Sequence, residues 1–245
     1  LAPVPVSAQA ENGRVQPAAG QAVVPIHGEW RFQPVDDMAY RDPAFDDASW
    51  SLIQAGGGWS RQGYRSVKVA WLRLRVDLRS WPHQDLALAL PPLEAAYEAY
   101  WNGERIGGRG LIGPNGEIQD KLMIFDTVRI PADLVRLESD NVLALRIAGH
   151  AGQGGATHHR LELGDSRQIQ DRMAAYLLRQ SLYAAAFCII GIYHLILFLG
   201  RRKEPENLDF ALMCFCFTGF SLGFWKVLAF EWGGYWLHKL LSQGC

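Results

Sequence analysis

Two periodicities divide this 245-residue sequence and predict its fold class, an all-β sandwich followed by an α-helical transmembrane region. In Ala70 to Leu78 (AWLRLRVDL), Ala70, Leu72, Leu74, Val76 and Leu78 fall on one face. Trp71, Arg73, Arg75 and Asp77 fall on the other, the pattern of a half-buried antiparallel strand. Leu182 to Leu199 (LYAAAFCIIGIYHLILFL) holds eighteen residues without a formal charge. As a helix it is ~27 Å long, close to the ~30 Å hydrocarbon core of a bilayer. Asn102-Gly103, set between two strand-like runs, marks a hairpin because both residues accept positive φ.

Taken in order, the chain opens on LAPVPVSAQA, small and apolar, ending in Ala8-Gln9-Ala10. That A-x-A form predicts a signal-peptide remnant over residues 1–10 and an exported head; a plain Pro/Ala leader is the alternative. Residues 11–22 (ENGRVQPAAGQA) read as a flexible lead-in. From Val23 to Asp165, short apolar runs alternate with Gly, Pro, Asn and Asp. Leu86, Leu88 and Leu90 repeat the β alternation, and Val142 to Ile147 is another apolar strand. Many short strands with turns every ~8–12 residues indicate a β-sandwich over residues 23–165. Gly149 to Arg160 is a glycine-rich loop, and residues 166–180 are a polar juxtamembrane linker, helical in pattern.

The membrane region spans residues 181–245. Its first helix covers about 181–199. A second covers about 208–230 if Lys226 snorkels, and a third starts near residue 235. The short connector between the first two makes them an antiparallel hairpin. With Arg201, Arg202 and Lys203 in that connector, the positive-inside rule puts it in the cytoplasm. Arg167, Arg172 and Arg179 before the first helix pull the other way, and the leader decides for an outside head. The resulting location is the bacterial inner membrane, with residues 11–180 extracytoplasmic and Trp232, Tyr235 and Trp236 in an outer aromatic belt.

Composition narrows the function. With 24 Lys and Arg against 25 Asp and Glu, no nucleic-acid partner is expected. The four cysteines, Cys188, Cys214, Cys216 and Cys245, all fall in the membrane region, so the head is expected to use no disulfides. Cys214-x-Cys216 on a helix points its thiols to different faces, against a metal site. His150, His158 and His159 lack accompanying cysteines or spaced carboxylates, and no metal or cofactor is expected there either. The sequence carries no nucleophile elbow, P-loop, zincin or dinucleotide motif, so the chain is not expected to be an enzyme.

Gly28-Glu29-Trp30-Arg31-Phe32, Phe45-Asp46-Asp47-Ala48-Ser49-Trp50, Gly58-Trp59, Ala70-Trp71-Leu72-Arg73, Tyr97 to Gly103 and Asn141 to Leu145 form an ordered series. It resembles the galactose-binding-like jelly roll that forms the N-terminal, non-catalytic domain of family 2 glycoside hydrolases. Joined to the stretch Gly191 to Leu212, that head is similar to bacterial seven-transmembrane receptors with diverse intracellular signalling modules. The resemblance implies a jelly-roll head, further helices and a cytoplasmic signalling module beyond Cys245, which could itself be catalytic. The carboxylate pair of family 2 hydrolases belongs to a barrel domain not represented in this sequence.

Three residues are the candidate ligand site. Trp59, Arg61 and Tyr64 share the loop GGGWSRQGYRS, where an aromatic face, a guanidinium and a phenol suit a sugar ring. The competing reading has Trp59 capping the core and Arg61 solvated. Asp209 reads as a helix-terminal acid and Lys226 as structural, while His194 is open between structure and function. The expected function is a ligand-sensing head, plausibly for carbohydrate, on the first helices of a bacterial signal-transduction receptor. The partners are then a carbohydrate or other small ligand, the lipid bilayer and a downstream signalling module. The alternatives are a membrane-anchored carbohydrate-binding module and a protein-interaction domain without small ligand.

Overall fold

The computed structural model describes residues 10–18, 20–81, 85–90, 95–114, 116–119, 126–149 and 161–224. The leader up to residue 9, the histidines at 150, 158 and 159, Lys226, the outer aromatic residues and the third helix lie outside the described residues. The chain divides into two units, Leu1–Gln170 and Asp171–Cys245.

The first unit contains β1 (Arg14–Val15), β2 (Val23–Pro25), β3 (Gly28–Gln33), β4 (Ser51–Ala55), β5 (Val69–Val76), β6 (Leu86–Leu90) and β7 (Ala95–Trp101). It continues with β8 (Glu104–Arg109), β9 (Leu111–Ile112), β10 (Ile118–Gln119), β11 (Asp126–Ile130), β12 (Asn141–Gly149) and β13 (Glu162–Asp165). One sheet runs β4-β3-β5-β12-β7-β8, with β1 beside β5, and a second runs β11-β6-β13-β2. A small ribbon pairs β9 with β10. Pairing is antiparallel throughout except for β1 with β5.

The expected sandwich follows from which side chains the pleat turns inward. Trp30, Phe32, Leu72, Leu74, Val76, Leu143 and Leu145 from the first sheet meet Val24, Leu86, Leu88, Val128 and Leu163 from the second. Each such burial contributes roughly 1.5–3 kcal/mol. Asn102-Gly103 makes the expected hairpin turn between β7 and β8, with φ of 51° and 93°. The Asn102 side chain also donates to the Leu134 carbonyl at 2.8 Å and accepts from the Val142 amide at 2.8 Å. It therefore fastens the turn to its neighbours as well as shaping it.

The outer face of β5 differs from expectation. Trp71 and Arg73 are both fully buried, because the segment from Asp36 to Trp50 lies across the sheet. Tyr40, Phe45 and Trp50 pack around Trp71 and Tyr100, making a second, smaller apolar cluster. Arg73 pins the strap by pairing with Asp47 at 2.8 Å and donating to the carbonyls of Tyr40, Asp42 and Phe45. A half-buried strand became one buried on both faces because the strap supplies carbonyls and a carboxylate for a guanidinium that could not otherwise leave water.

The lead-in also differs. Residues 10–15 form a small hairpin whose turn is Asn12-Gly13, at φ 50° and 74°. It is wedged where β3 and β5 splay apart. The Ala10 amide donates to the His27 carbonyl and the Glu29 amide to the Ala10 carbonyl on one side. On the other, the amides of Arg75 and Asp77 donate to Gly13 and Val15. Ala10 and Val15 are buried in the main core. Gly28, at φ 123°, admits this approach, since a Cβ there would stand 2.3 Å from the Ala10 oxygen. Arg14 then pairs with Asp77 and Asp140.

After β13 the chain enters α1 (Ser166–Gly200) with no intervening loop. Asp165 caps the helix by accepting from the Gln168 amide at 3.0 Å. The expected linker 166–180 is thus the first part of a 35-residue helix, ~52 Å long. Among the described residues, α1 is a helix long and apolar enough to cross a membrane.

The second unit is a helical hairpin of α1 and α2 (Glu206–Phe224). Its seam is built from small and polar residues. A Cβ on Gly191 would lie 3.0 Å from Phe215 and 3.2 Å from the Cys214 Cβ, and Thr218 donates to the Ala184 carbonyl. Phe187 stacks on Phe217 at 5.4 Å. His194 bonds to the Asn207 side-chain oxygen through Nδ1 at 3.0 Å, and Asn207 donates to Glu204. With its amide nitrogen turned to Glu204, Asn207 presents oxygen to the ring, so His194 Nδ1 carries the proton. His194 is therefore a hairpin fastener, and Asp209 sits in the first turn of α2, where its charge is favoured by the positive end of the helix dipole. Leu182, Ile189, Ile196 and Phe220 all face outward.

Candidate ligand-binding site

The loop between β4 and β5 carries all three sequence-predicted site residues. It leaves β4 through Gly56, Gly57 and Gly58, makes a single 3-10 turn over Trp59–Gln62, and closes with the Tyr64 amide donating to the Trp59 carbonyl at 3.0 Å. Gln62 folds the loop back. Its side-chain oxygen accepts from the Gln54 amide at 2.8 Å and its amide nitrogen donates to the Gln54 carbonyl at 3.1 Å. That two-point contact satisfies one residue of the edge strand β4 in the way a paired strand would.

The same fold-back turns Trp59 inward. Its indole is 1 % exposed and meets Phe32 edge-on at 5.5 Å. Tyr64 is half-buried and packs on the other part of Phe32 at 4.6 Å. Trp59 thus occupies the core-capping position, and its ring face is not presented to solvent. Arg61 is exposed, as are Arg65 and Lys68 further along the loop. Under the loop lies a cavity of about 10 Å³, lined by Gln54, Trp59, Leu72, Leu145, Ile147 and Leu161 among others. It is apolar and no larger than a single water requires, so it is a packing gap.

Of the predicted triad, one solvent-facing cation and one half-buried phenol remain at the surface. Sequence reading passed over Arg65 and Lys68, although the signal was present: Gly56 to Lys68 contains three cations and no acid. It also passed over Gln62, whose partner in β4 is not identifiable from local pattern.

A second polar cluster lies on the outer face of the first sheet. Arg146 binds Asp36 through two nitrogens, at 2.7 and 2.6 Å, and Glu98 at 3.0 Å. Trp71 Nε1 donates to Asp36 and the Tyr100 hydroxyl to Glu98. The Arg146 hydrogen bonds hold the Asp36 carboxyl below the usual carboxylate range against a smaller opposing effect of burial. Burial, then the bond to Glu98, pushes the Tyr100 phenol up to about 12. Arg146 of β12 is bound by Asp36 of the strap and by Glu98 of β7, so the cluster fixes the start of the strap to the sheet. Among the described residues no group of three or more His, Cys, Asp or Glu is placed to hold a metal ion.

The fold is a mostly antiparallel β-sandwich whose last strand continues into an apolar helix. No family model matches the sequence, and none of the curated proteins compared does. Solved structures similar to the chain include a β-glucuronidase of Bacteroides uniformis, 19 % identical with a TM-score of 0.46, covering 58 % of this chain and 17 % of that one. A glycosyl hydrolase family 2 member from Bacteroides cellulosilyticus is 15 % identical with a TM-score of 0.47, covering 59 % and 20 %. A β-glycosidase from Bacteroides vulgatus is 14 % identical with a TM-score of 0.45, covering 58 % and 20 %. The chain spans about a fifth or less of the length of these three.

Proposed function

We propose that the chain is a membrane-anchored, ligand-binding β-sandwich head, the extracytoplasmic part of a bacterial signal-transducing receptor. The observation that carries this reading is the junction at Asp165 and Ser166. A strand of the sandwich runs into a helix whose last eighteen residues before Gly200 are uncharged and largely outward-facing. An apolar surface of that extent requires lipid or protein around it. Ligand binding on an exported head then acts on signalling only through its differential affinity for two states of the receptor. The head's ligand is proposed to be a carbohydrate bound at the loop bearing Arg61 and Tyr64.

Fractionation of cells expressing the complete gene tests the anchoring. The head is expected in the inner-membrane fraction, resistant to carbonate extraction and digestible by protease from the periplasmic side. A folded chain in the soluble fraction overturns the anchoring, and a head protected in spheroplasts overturns the topology.

One observation favours a second reading, a protein-interaction head without small ligand. Trp59 is buried, while Val35 just before the strap and Met38 on it are exposed at 52 % and 43 %. Absence of any glycan binding by folded chain, together with loss of partner capture on Val35→Asp, would select it.

A further inference from the structure

We propose that the loop Gly56–Lys68 recognises a polyanionic glycan, one bearing carboxylate or sulfate groups; this rests on the ligand-binding reading above and names its ligand class. The head neutralises most of its arginines internally. Arg14, Arg73, Arg75, Arg79, Arg105, Arg109, Arg129 and Arg146 each stand within 3.8 Å of a carboxylate. Arg61, Arg65 and Lys68 are exposed, lie on a loop with no acidic residue, and have no carboxylate partner among the described residues. The loop concentrates unneutralised positive charge on a chain whose net charge is −1.

The frame beneath these cations is fixed. Trp59 is held in the core, Gln62 is bonded to β4, and the Lys68 carbonyl accepts from the Gly149 amide at 2.8 Å. Less side-chain and loop entropy is then lost on binding than a free loop would lose. Guanidinium forks bind carboxylate and sulfate oxygens in pairs. The exposed hydroxyls of Ser60 and Ser66 and the half-buried phenol of Tyr64 add the partners that sugar hydroxyls need. Nucleic acid is the poorer fit, because single strands are held by stacked bases and the loop's indole is turned inward. A lipid surface is poorer too, since the loop exposes no large apolar anchor beside its cations.

The test uses the full chain in nanodiscs of neutral lipid and measures binding of polygalacturonate, dextran sulfate, neutral dextran and a single-stranded oligonucleotide. Polygalacturonate or dextran sulfate is expected to bind with an affinity that falls as salt rises, while neutral dextran does not. The variant R61Q/R65Q/K68Q is expected to weaken that binding roughly tenfold or more with an unchanged melting temperature, and R61K/R65K, which keeps the charge but loses the paired contacts, to weaken it by less. Undiminished polyanion binding by the triple variant overturns the inference, as does oligonucleotide binding of equal strength. Binding of neutral dextran that survives the triple variant leaves a glycan-binding head standing and overturns only the anionic class. A folded chain that binds no glycan at all overturns both.

Discussion

Removing the Trp59 indole opens a hole at the end of the core, against Phe32 and beside a gap that is already there. Trp59→Ala is therefore expected to destabilise the head by about 3–5 kcal/mol, read as a lower melting temperature, whether or not a ligand is present. Arg61→Ala is expected to leave the melting temperature of the free protein within about 2 °C, since surface substitutions fall within about ±0.5 kcal/mol. A thermal scan of the two variants checks both, and equal melting temperatures for Trp59→Ala and the parent would contradict the buried placement. Ligand dependence is accordingly read from Arg61 and not from Trp59. The sequence of the loop singled out Trp59, Arg61 and Tyr64 but not which way each one turns. A run of three glycines before Trp59 permits either direction, and the choice is made by Gln62 reaching back to Gln54 and by Phe32 waiting on β3.

At the scale of elements, the N-terminal hairpin invites a substitution away from any surface. Gly28→Ala puts a methyl where the Ala10 carbonyl lies, at a φ that side chains rarely adopt. It is expected to cost more than ~1 kcal/mol and to free residues 10–15 from the fork between β3 and β5. Hydrogen exchange gives a specific readout: the amides of Arg75 and Asp77 lose protection while those at the centre of β12 keep theirs. Uniform loss or no loss would show that the wedge is not a separable element. Most strands could be read from alternation, because β5, β6 and β12 face one common core. The hairpin at residues 10–15 was missed although Asn12-Gly13 carries the same turn signal as Asn102-Gly103. Its flanking residues, Glu11 and Arg14, are not apolar, and its stability comes from sheet edges far along the chain. The stretch 166–180 was helical as read, but its continuity with the apolar run into a single 35-residue element depends on Asp165 capping it, a contact that pattern alone does not fix.

For the whole molecule, the ion pairs of the head set how it responds to acid. Asp36 and Asp47 are held below the usual carboxylate range, the first mainly by bonds from Arg146, the second by Arg73 and Arg75 outweighing its burial. Asp77 is lowered further, chiefly by the Arg79 side chain. Each of these groups takes up its proton less readily folded than unfolded. The stability they lend is complete above the ordinary aspartate value of ~3.9 and drains away as pH falls below it. The melting temperature is thus expected to hold steady between neutral pH and about pH 5, then to drop on further acidification. Replacing Asp77 with Asn should flatten part of that drop; an unchanged acid limb would mean the Arg14 and Arg79 contacts do not persist in solution.

The wedge and the second sheet share one more property, which concerns time. Val15 pairs with Val76, and Val23 with Gly164, so early strands of the sandwich have partners far along the chain. Such non-local pairings must close large loops before any contact rewards them, and they slow folding. β2 stays unpaired until β13 arrives, and β13 is followed at once by α1. The sandwich can therefore close only once the chain has reached the residues that open α1. A chain delayed at that point holds open strand edges and an uncovered apolar helix together, the combination most prone to aggregation.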